Sequence, residues 1–323
     1  MRVVLGVDTS NYTTSLCVLA EDGTIKSDQR RILTVASGAR GLRQSEALFQ
    51  HVQNLPLLTA ELGLDLKAHE LAAVGVSVQP RPQEDSYLPV FLPGKSFAQS
   101  LANILSIPCY ELTHQEMHIW SGIVSGGGPL KPEFLAIHLS GGTTELTAVR
   151  CREDWTLQVD LWGGTSDLHA GQLVDRLGVS LGLDFPAGPA LEKLAVKASE
   201  AAGIPTFHKD GQVSFSGPLS ALERMIGQVE PEVLALSCLK AISRTLVKWI
   251  KWAETRTKCR ELLLVGGVAS NQLIRRELAE ELPNWRLYYA EPRYSVDNAL
   301  GSAYYAALRA GFPVCARGVG EGN

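Results

Sequence analysis

Two separate stretches of this chain repeat one pattern: Gly6-Val-Asp-Thr-Ser-Asn-Tyr-Thr-Thr-Ser-Leu16 and Ala136-Ile-His-Leu-Ser-Gly-Gly-Thr-Thr-Glu-Leu146. In each, an apolar run (Val3 to Val7; Phe134 to Leu139) reaches a short turn of hydroxyl residues, with glycines in the second copy, and leaves through a second apolar run (Leu16 to Leu19; Leu146 to Val149). Apolar runs of this length broken by small polar residues read as β-hairpins. A repeated hairpin in a chain of 323 residues predicts a duplicated α/β unit, and a length with 45% apolar residues is enough for two domains with cores of their own. The backbone N–H groups and hydroxyls of such turns can cradle a phosphate, so two of them predict a ligand cleft between two similar domains.

A third turn has the same logic. Leu262-Leu-Leu-Val-Gly-Gly-Val-Ala-Ser-Asn271 is an apolar strand, a double glycine at Gly266 and Gly267, and then a helix through Leu273. Glycine lets a ligand approach the backbone, and a helix N-terminus favours anionic atoms. Asp184-Phe-Pro-Ala-Gly-Pro-Ala-Leu-Glu192 turns sharply into an amphipathic helix, and Ser125-Gly-Gly-Gly-Pro-Leu-Lys-Pro132 reads as a linker between halves. A last helix is expected from about Val296 to Ala310, ahead of Gly311.

His114-Gln-Glu-Met-His118 places two imidazoles four residues apart, on one face of a helix, where both can grip one metal ion. Metalloproteases use His-Glu-x-x-His, with the glutamate directly after the first histidine. Glu116 sits one residue later, about 100° further round the helix, so the protease reading is set aside. Paired histidines in a satisfied helix are the bland alternative.

Composition narrows the partners. The net charge of −4 excludes nucleic-acid binding by overall charge, so any RNA contact is local. The stretch from about Ala241 to Arg260 mixes Trp249 and Trp252 with Lys248, Lys251, Arg256, Lys258 and Arg260, and is read as a core-facing helix with a solvated basic side rather than a docking face. Six dispersed cysteines without a Cys-x-x-Cys pair suit reduced thiols. No apolar run approaches a membrane span, and the chain opens on a strand-like segment, so a soluble, cytoplasmic protein without a membrane partner is expected.

Taken in order, the motifs Gly6-Val-Asp-Thr-Ser, His114/His118, Ser140-Gly-Gly-Thr-Thr, Asp175 through Gly188-Pro-Ala-Leu-Glu192, Ser214-Phe-Ser-Gly217, Gly266-Gly-Val-Ala-Ser-Asn271 and Val296-Asp-Asn-Ala299 resemble the Gcp/TsaD family of tRNA threonylcarbamoyladenosine synthases, along nearly the whole chain. The resemblance implies an actin/sugar-kinase/Hsp70-like α/β fold of two duplicated domains with mixed sheets around an interdomain nucleotide cleft. The corresponding boundaries are 1–113 with 297–323 for the first domain, and 114–296 for a second carrying the metal helix and adenosine turn. One divalent transition metal, iron or zinc, is implied on His114, His118 and Asp297, with His138 as a further ligand candidate. An adenine nucleotide (ATP, AMP or an acyl-adenylate) is implied on Ser140, Gly141, Gly142, Asp175, Gly188, Glu192, Gly266, Gly267 and Asn271.

The implied activity is a metal-dependent acyltransferase that moves a threonylcarbamoyl group from its adenylate to adenosine of tRNA, with a TsaB-like protein partner. No residue is assigned a catalytic proton transfer. The alternatives are an ATP phosphohydrolase, a carbamoyltransferase on another acceptor, and a non-catalytic nucleotide-binding regulator. Three departures from the family pattern point to a divergent paralogue: Tyr12-Thr13 replaces an acidic pair in the first hairpin, Met117 replaces a glycine before the second histidine, and Gln79-Pro-Arg-Pro-Gln-Glu-Asp85 replaces a glycine-proline-glycine segment.

Overall fold

The computed structural model describes residues 1–10, 12–35, 42–65, 68–83, 86–129, 131–165 and 167–315. Asn11 of the first hairpin, Glu84 and Asp85 of the charged loop and Leu130 of the glycine-rich segment lie outside the described residues. The elements run β1 (Arg2–Asp8), β2 (Thr13–Ala20), β3 (Ile25–Ile32), α1 (Gln44–Glu61), β4 (Glu70–Gln79), α2 (Leu92–Leu105), β5 (Cys109–Thr113), α3 (His114–Gly126), β6 (Glu133–Leu139), β7 (Thr144–Cys151) and β8 (Leu157–Thr165). They continue α4 (Ala170–Ser180), α5 (Gly188–Ala195), β9 (Phe207–Lys209), β10 (Gln212–Ser214), α6 (Ser216–Arg224), α7 (Pro231–Ala253), β11 (Glu261–Val265), α8 (Gln272–Glu281), β12 (Arg286–Tyr289) and α9 (Leu300–Arg309).

The duplication is visible in strand order. The first sheet runs β3-β2-β1-β4-β5, and the second, of seven strands, contains β8-β7-β6-β11-β12 in the same sense, extended by β10 and β9. Each expected hairpin is an antiparallel pair, β1 with β2 and β6 with β7. Its first strand then pairs in parallel with a later one, β1 with β4 and β6 with β11, so both sheets are mixed.

The chain divides into two units: residues 1–130, 151–157 and 293–323, and residues 131–150 and 158–292. These limits differ from the boundaries expected on sequence, because α3, with the histidine pair, belongs to the first unit. α3 packs against α9 so closely that a Cβ on Gly301 would meet the carbonyl oxygen of Met117 at 1.9 Å, which ties 114–126 to the chain's last helix rather than to β6 and the second sheet.

Within the first unit, strand periodicity sorts the faces. Val3, Leu5 and Val7 of β1 pack with Leu16 and Val18 of β2 against Leu55 and Leu58 of α1 and Ala98 of α2. Alternate residues point the other way, and there α9 sits directly on the sheet. A Cβ on Gly6 would meet the Ala299 carbonyl oxygen at 2.2 Å, and one on Gly75 that of Ser302 at 2.0 Å. Asp8 shares the Gly6 face and is fully buried.

The second unit has its own core, in which Leu135, Ile137 and Leu139 of β6 and Leu262 and Leu264 of β11 pack with Leu173 of α4, Trp249 of α7 and Ile274 of α8. α7 begins ten residues before the expected start and ends at Ala253, so Arg256, Lys258 and Arg260 lie beyond it. Trp249 is wholly buried, and the Arg256 guanidinium lies 4.4 Å from the centre of the Trp252 ring. Among the described residues, no helix is long and apolar enough to cross a membrane, and Cys17, Cys109, Cys151, Cys238 and Cys259 are unbridged.

Candidate functional site

The helix that carries the histidine pair, α3, begins where it does because of a capping box. Thr113 Oγ1 accepts from the Glu116 amide at 3.2 Å, and Glu116 Oε2 accepts from the Thr113 amide at 2.7 Å. Such a cap stabilises a helix by roughly 1 kcal/mol, and it engages the one glutamate between the histidines. Burial raises the Glu116 pKa, while the same Thr113 hydrogen bonds oppose the rise.

With the start fixed at His114, His118 falls one turn later on the same face, and the two Nε2 atoms are 3.1 Å apart. Asp297 Oδ1 lies 3.5 Å from both. The donor atoms of His114, His118 and Asp297 all fall within 4.8 Å of one another. Asp297 is not in the last helix as expected. α9 starts at Leu300, and Asp297 hangs from the irregular segment before it, so stabilisation by the helix dipole does not explain its place.

Sequence reasoning missed Asp8. Its Oδ1 is 3.1 Å from His114 Nδ1 and also accepts from the Ser77 hydroxyl, while its Oδ2 accepts from the Ser10 hydroxyl at 2.5 Å. A carboxylate only accepts, so His114 Nδ1 carries the proton and Nε2 is turned toward His118 and Asp297. Histidine ligands of metals are usually held by such a partner on the opposite nitrogen. An aspartate at the polar end of an apolar strand was the available signal.

The charges of the cluster depend on one another. Burial pulls the His114 pKa down, but Asp8 and Asp297 outweigh it and hold it up, at about 10. Burial and then the neighbouring His114 charge depress His118. Burial would raise Asp297, yet the hydrogen bonds from both histidines keep it well below the usual carboxylate range. Two imidazoles and a carboxylate converging in this way fit a divalent transition metal by donor chemistry and by separation. The Asp297 side chain keeps 22% of its surface accessible, which provides an approach from solvent.

The second unit gathers most of the expected nucleotide residues at adjoining turns. Gly266, at φ +95°, must be glycine: a Cβ would meet the Leu139 carbonyl oxygen at 2.3 Å and the His138 ring at 2.9 Å. Cβ atoms on Gly141, Gly142 and Gly267 would meet nothing within 4 Å. The Ser140 carbonyl accepts from the Gly171 amide in the first turn of α4, at 3.1 Å, and Ser140 Oγ accepts from the Gly142 and Thr143 amides at 3.3 and 3.0 Å.

Asp175 accepts from the Ala187 amide at 2.8 Å, beside Gly188, and burial raises its pKa against that bond. Glu192 accepts from the Gln272 amide at 2.6 Å, and Asn271 caps α8 by accepting from the Ile274 amide at 3.0 Å. These side chains therefore tie α4, α5 and α8 together. Arg275, also missed, pins the turn by donating to the Ala269 and Ala290 carbonyls at 2.8 and 3.0 Å. His138 lies on β6, opposite Val265 of β11, and is not one of the three converging donors.

The twofold β3-β2-β1-β4-β5 plan is the fold of the actin, sugar-kinase and Hsp70 class of α/β proteins. The activator of 2-hydroxyisocaproyl-CoA dehydratase from Clostridium difficile, solved with bound ADPNP, superposes with a TM-score of 0.55 at 14% identity, over 96% of each chain. A ROK family glucokinase from Streptomyces griseus, in complex with glucose and AMPPNP, does so at 0.51 and 14%, over 94% of this chain and 99% of the other. Within that class, the chain belongs to the TsaD family, tRNA N6-adenosine threonylcarbamoyltransferase, whose model matches residues 37–304, and so to the transferases. A tRNA N6-adenosine threonylcarbamoyltransferase of Chlorobium phaeobacteroides (strain BS1) is 29% identical, over 95% of this chain and 93% of the relative.

Proposed function

We propose that the chain transfers a threonylcarbamoyl group from threonylcarbamoyl-adenylate to an adenosine amine of tRNA, in the cytoplasm, with a divalent metal held by His114, His118 and Asp297. The observation that carries this reading is the convergence of those three donors, in a chain of this family, with Asp8 braced behind His114. When bound, the metal supplies Lewis-acid polarisation of a substrate oxygen. The nucleotide portion of the donor is assigned to residues of the second unit. Gly141, Gly142 and Gly267 leave open space beside their backbone, and the α4 N-terminus, which abuts Ser140, favours the phosphate. Asp175 and Glu192 suit ribose hydroxyls as acceptors, and Asn271, Gly188 and Gly266 form the walls of an adenosine pocket.

In the reaction, the amine nitrogen bonds to the carbamoyl carbon, the carbon–oxygen bond to the phosphate breaks, AMP leaves with the electron pair, and the amine proton passes to solvent or base. A TsaB-like subunit is part of this reading as a partner.

The test is the purified chain with threonylcarbamoyl-adenylate and unmodified tRNA, with and without a family-type partner subunit. Modified adenosine in the tRNA and stoichiometric AMP are expected. Release of phosphate from ATP without any acceptor would instead identify a hydrolase, and nucleotide binding without turnover a regulator.

A further inference from the structure

Asn298 comes directly after the third donor and has no part in the chemistry above, yet it is wholly buried and bonded in every direction its side chain allows. Its Nδ2 donates to the Tyr294 and Val296 carbonyls at 3.2 and 2.8 Å. Its Oδ1 accepts from the Leu300 amide at 2.9 Å and from the Ser121 hydroxyl at 2.8 Å. An amide side chain has two donor hydrogens and two acceptor lone pairs, so this one is saturated. Three of the bonds knit the segment that carries Asp297. The fourth crosses to α3, three residues beyond His118, where Ser121 Oγ in turn accepts from the Gly301 amide at 2.9 Å.

We infer that Asn298, acting through Ser121, is the positioning residue that sets the Asp297 carboxylate against the two histidines. The inference rests on the metal reading of that cluster. Two ligands come from a rigid helix and the third from irregular chain, which has no ladder of its own to hold it. The Ser121–Asn298 bond is a direct side-chain tie between the two ligand-bearing segments, and it lies within one helical turn of His118 and one residue of Asp297. Partners that orient a ligand without touching the metal typically cost about 10–100-fold in metal affinity when removed.

The test uses the full chain and Co2+ alone, with affinity measured by chelator competition and coordination by the visible absorption of the bound ion. N298A and S121A should each weaken binding by about 10–100-fold and alter the spectrum, and S121T, which keeps the hydroxyl, should restore both. In a D297A background, adding N298A or S121A should cost nothing further, because the ligand they position is gone. A general loss of packing would persist there, so a further loss in that background overturns the inference, as does an S121A protein that binds like the parent. If N298A fails to fold, S121A and S121T complete the same cycle. If the parent binds Co2+ no better than H114A/H118A, the metal reading itself is lost, and this inference with it.

Discussion

Gly266 and Gly267 are neighbours with different obligations, and the difference separates a fold requirement from a ligand requirement. A side chain at Gly266 strikes the Leu139 backbone, whereas one at Gly267 enters open space. Gly267→Val should therefore leave the urea midpoint close to that of the parent while weakening ATP and AMP binding in calorimetry. Gly266→Ala should destabilise the chain itself. A Gly267→Val protein that binds both nucleotides normally would move the pocket elsewhere. His114 supports a pH prediction of definite sign. Its pKa in the metal-free fold is raised to about 10 from an ordinary 6.5. The stability it contributes is complete below about 6.5 and disappears as pH rises through about 10. His118, which is depressed, acts in the opposite sense, losing stability as pH falls below 6.5. In chelator-treated protein, the stability advantage of the parent over Asp8→Asn should shrink steadily between those limits. A pH-independent difference would show that Asp8 braces His114 without supporting its charge.

At the scale of elements, the crossing of α3 and α9 controls the cluster. Gly301 is the contact point, and its Cβ would overlap Met117. Gly301→Ala should cost about 1–3 kcal/mol or more through overpacking and should lower metal affinity by parting His118 from Asp297. Circular dichroism melts and metal analysis on one sample would check both, and full metal content in a destabilised variant would uncouple them. This crossing also marks the limit of what is legible in the sequence. The hairpins are readable because apolar runs and small turn residues are local signals, and so is the histidine pair, because helical spacing is local too. α9 starts later than the sequence suggests, since Val296-Asp-Asn-Ala reads as a helix N-terminus until Asn298 is seen bonding back to Tyr294 and Val296. Asp8 escapes a sequence reading for a similar reason: its partner is 106 residues away, and no periodicity announces it. A division before residue 114 does not match the units because helix packing is a tertiary fact.

For the whole molecule, the open question is rate. By the resemblance drawn from the sequence, Tyr12 and Thr13 replace an acidic pair. Tyr12 is 43% exposed, and Thr13 opens β2 opposite Ile32, so Tyr12→Asp with Thr13→Glu is compatible with the hairpin. If those carboxylates orient substrate or handle a proton, the double substitution should raise the transfer rate about tenfold or more, given general acid–base contributions of about 10²–10⁴. Single-turnover assays with the adenylate and tRNA would measure it, and an unchanged rate would make the departure neutral. The first unit is also discontinuous, since its sheet is finished early in the chain while α9, which seals one face, comes from its end. Ser121 and Asn298 are separated by 177 residues. At about 5–20 residues per second of synthesis, a growing chain spends roughly 10–35 seconds presenting two histidines without their carboxylate. The proposed three-donor grip on a metal can therefore close only after synthesis has passed Asp297, so the histidine pair has to fold first and wait for its carboxylate.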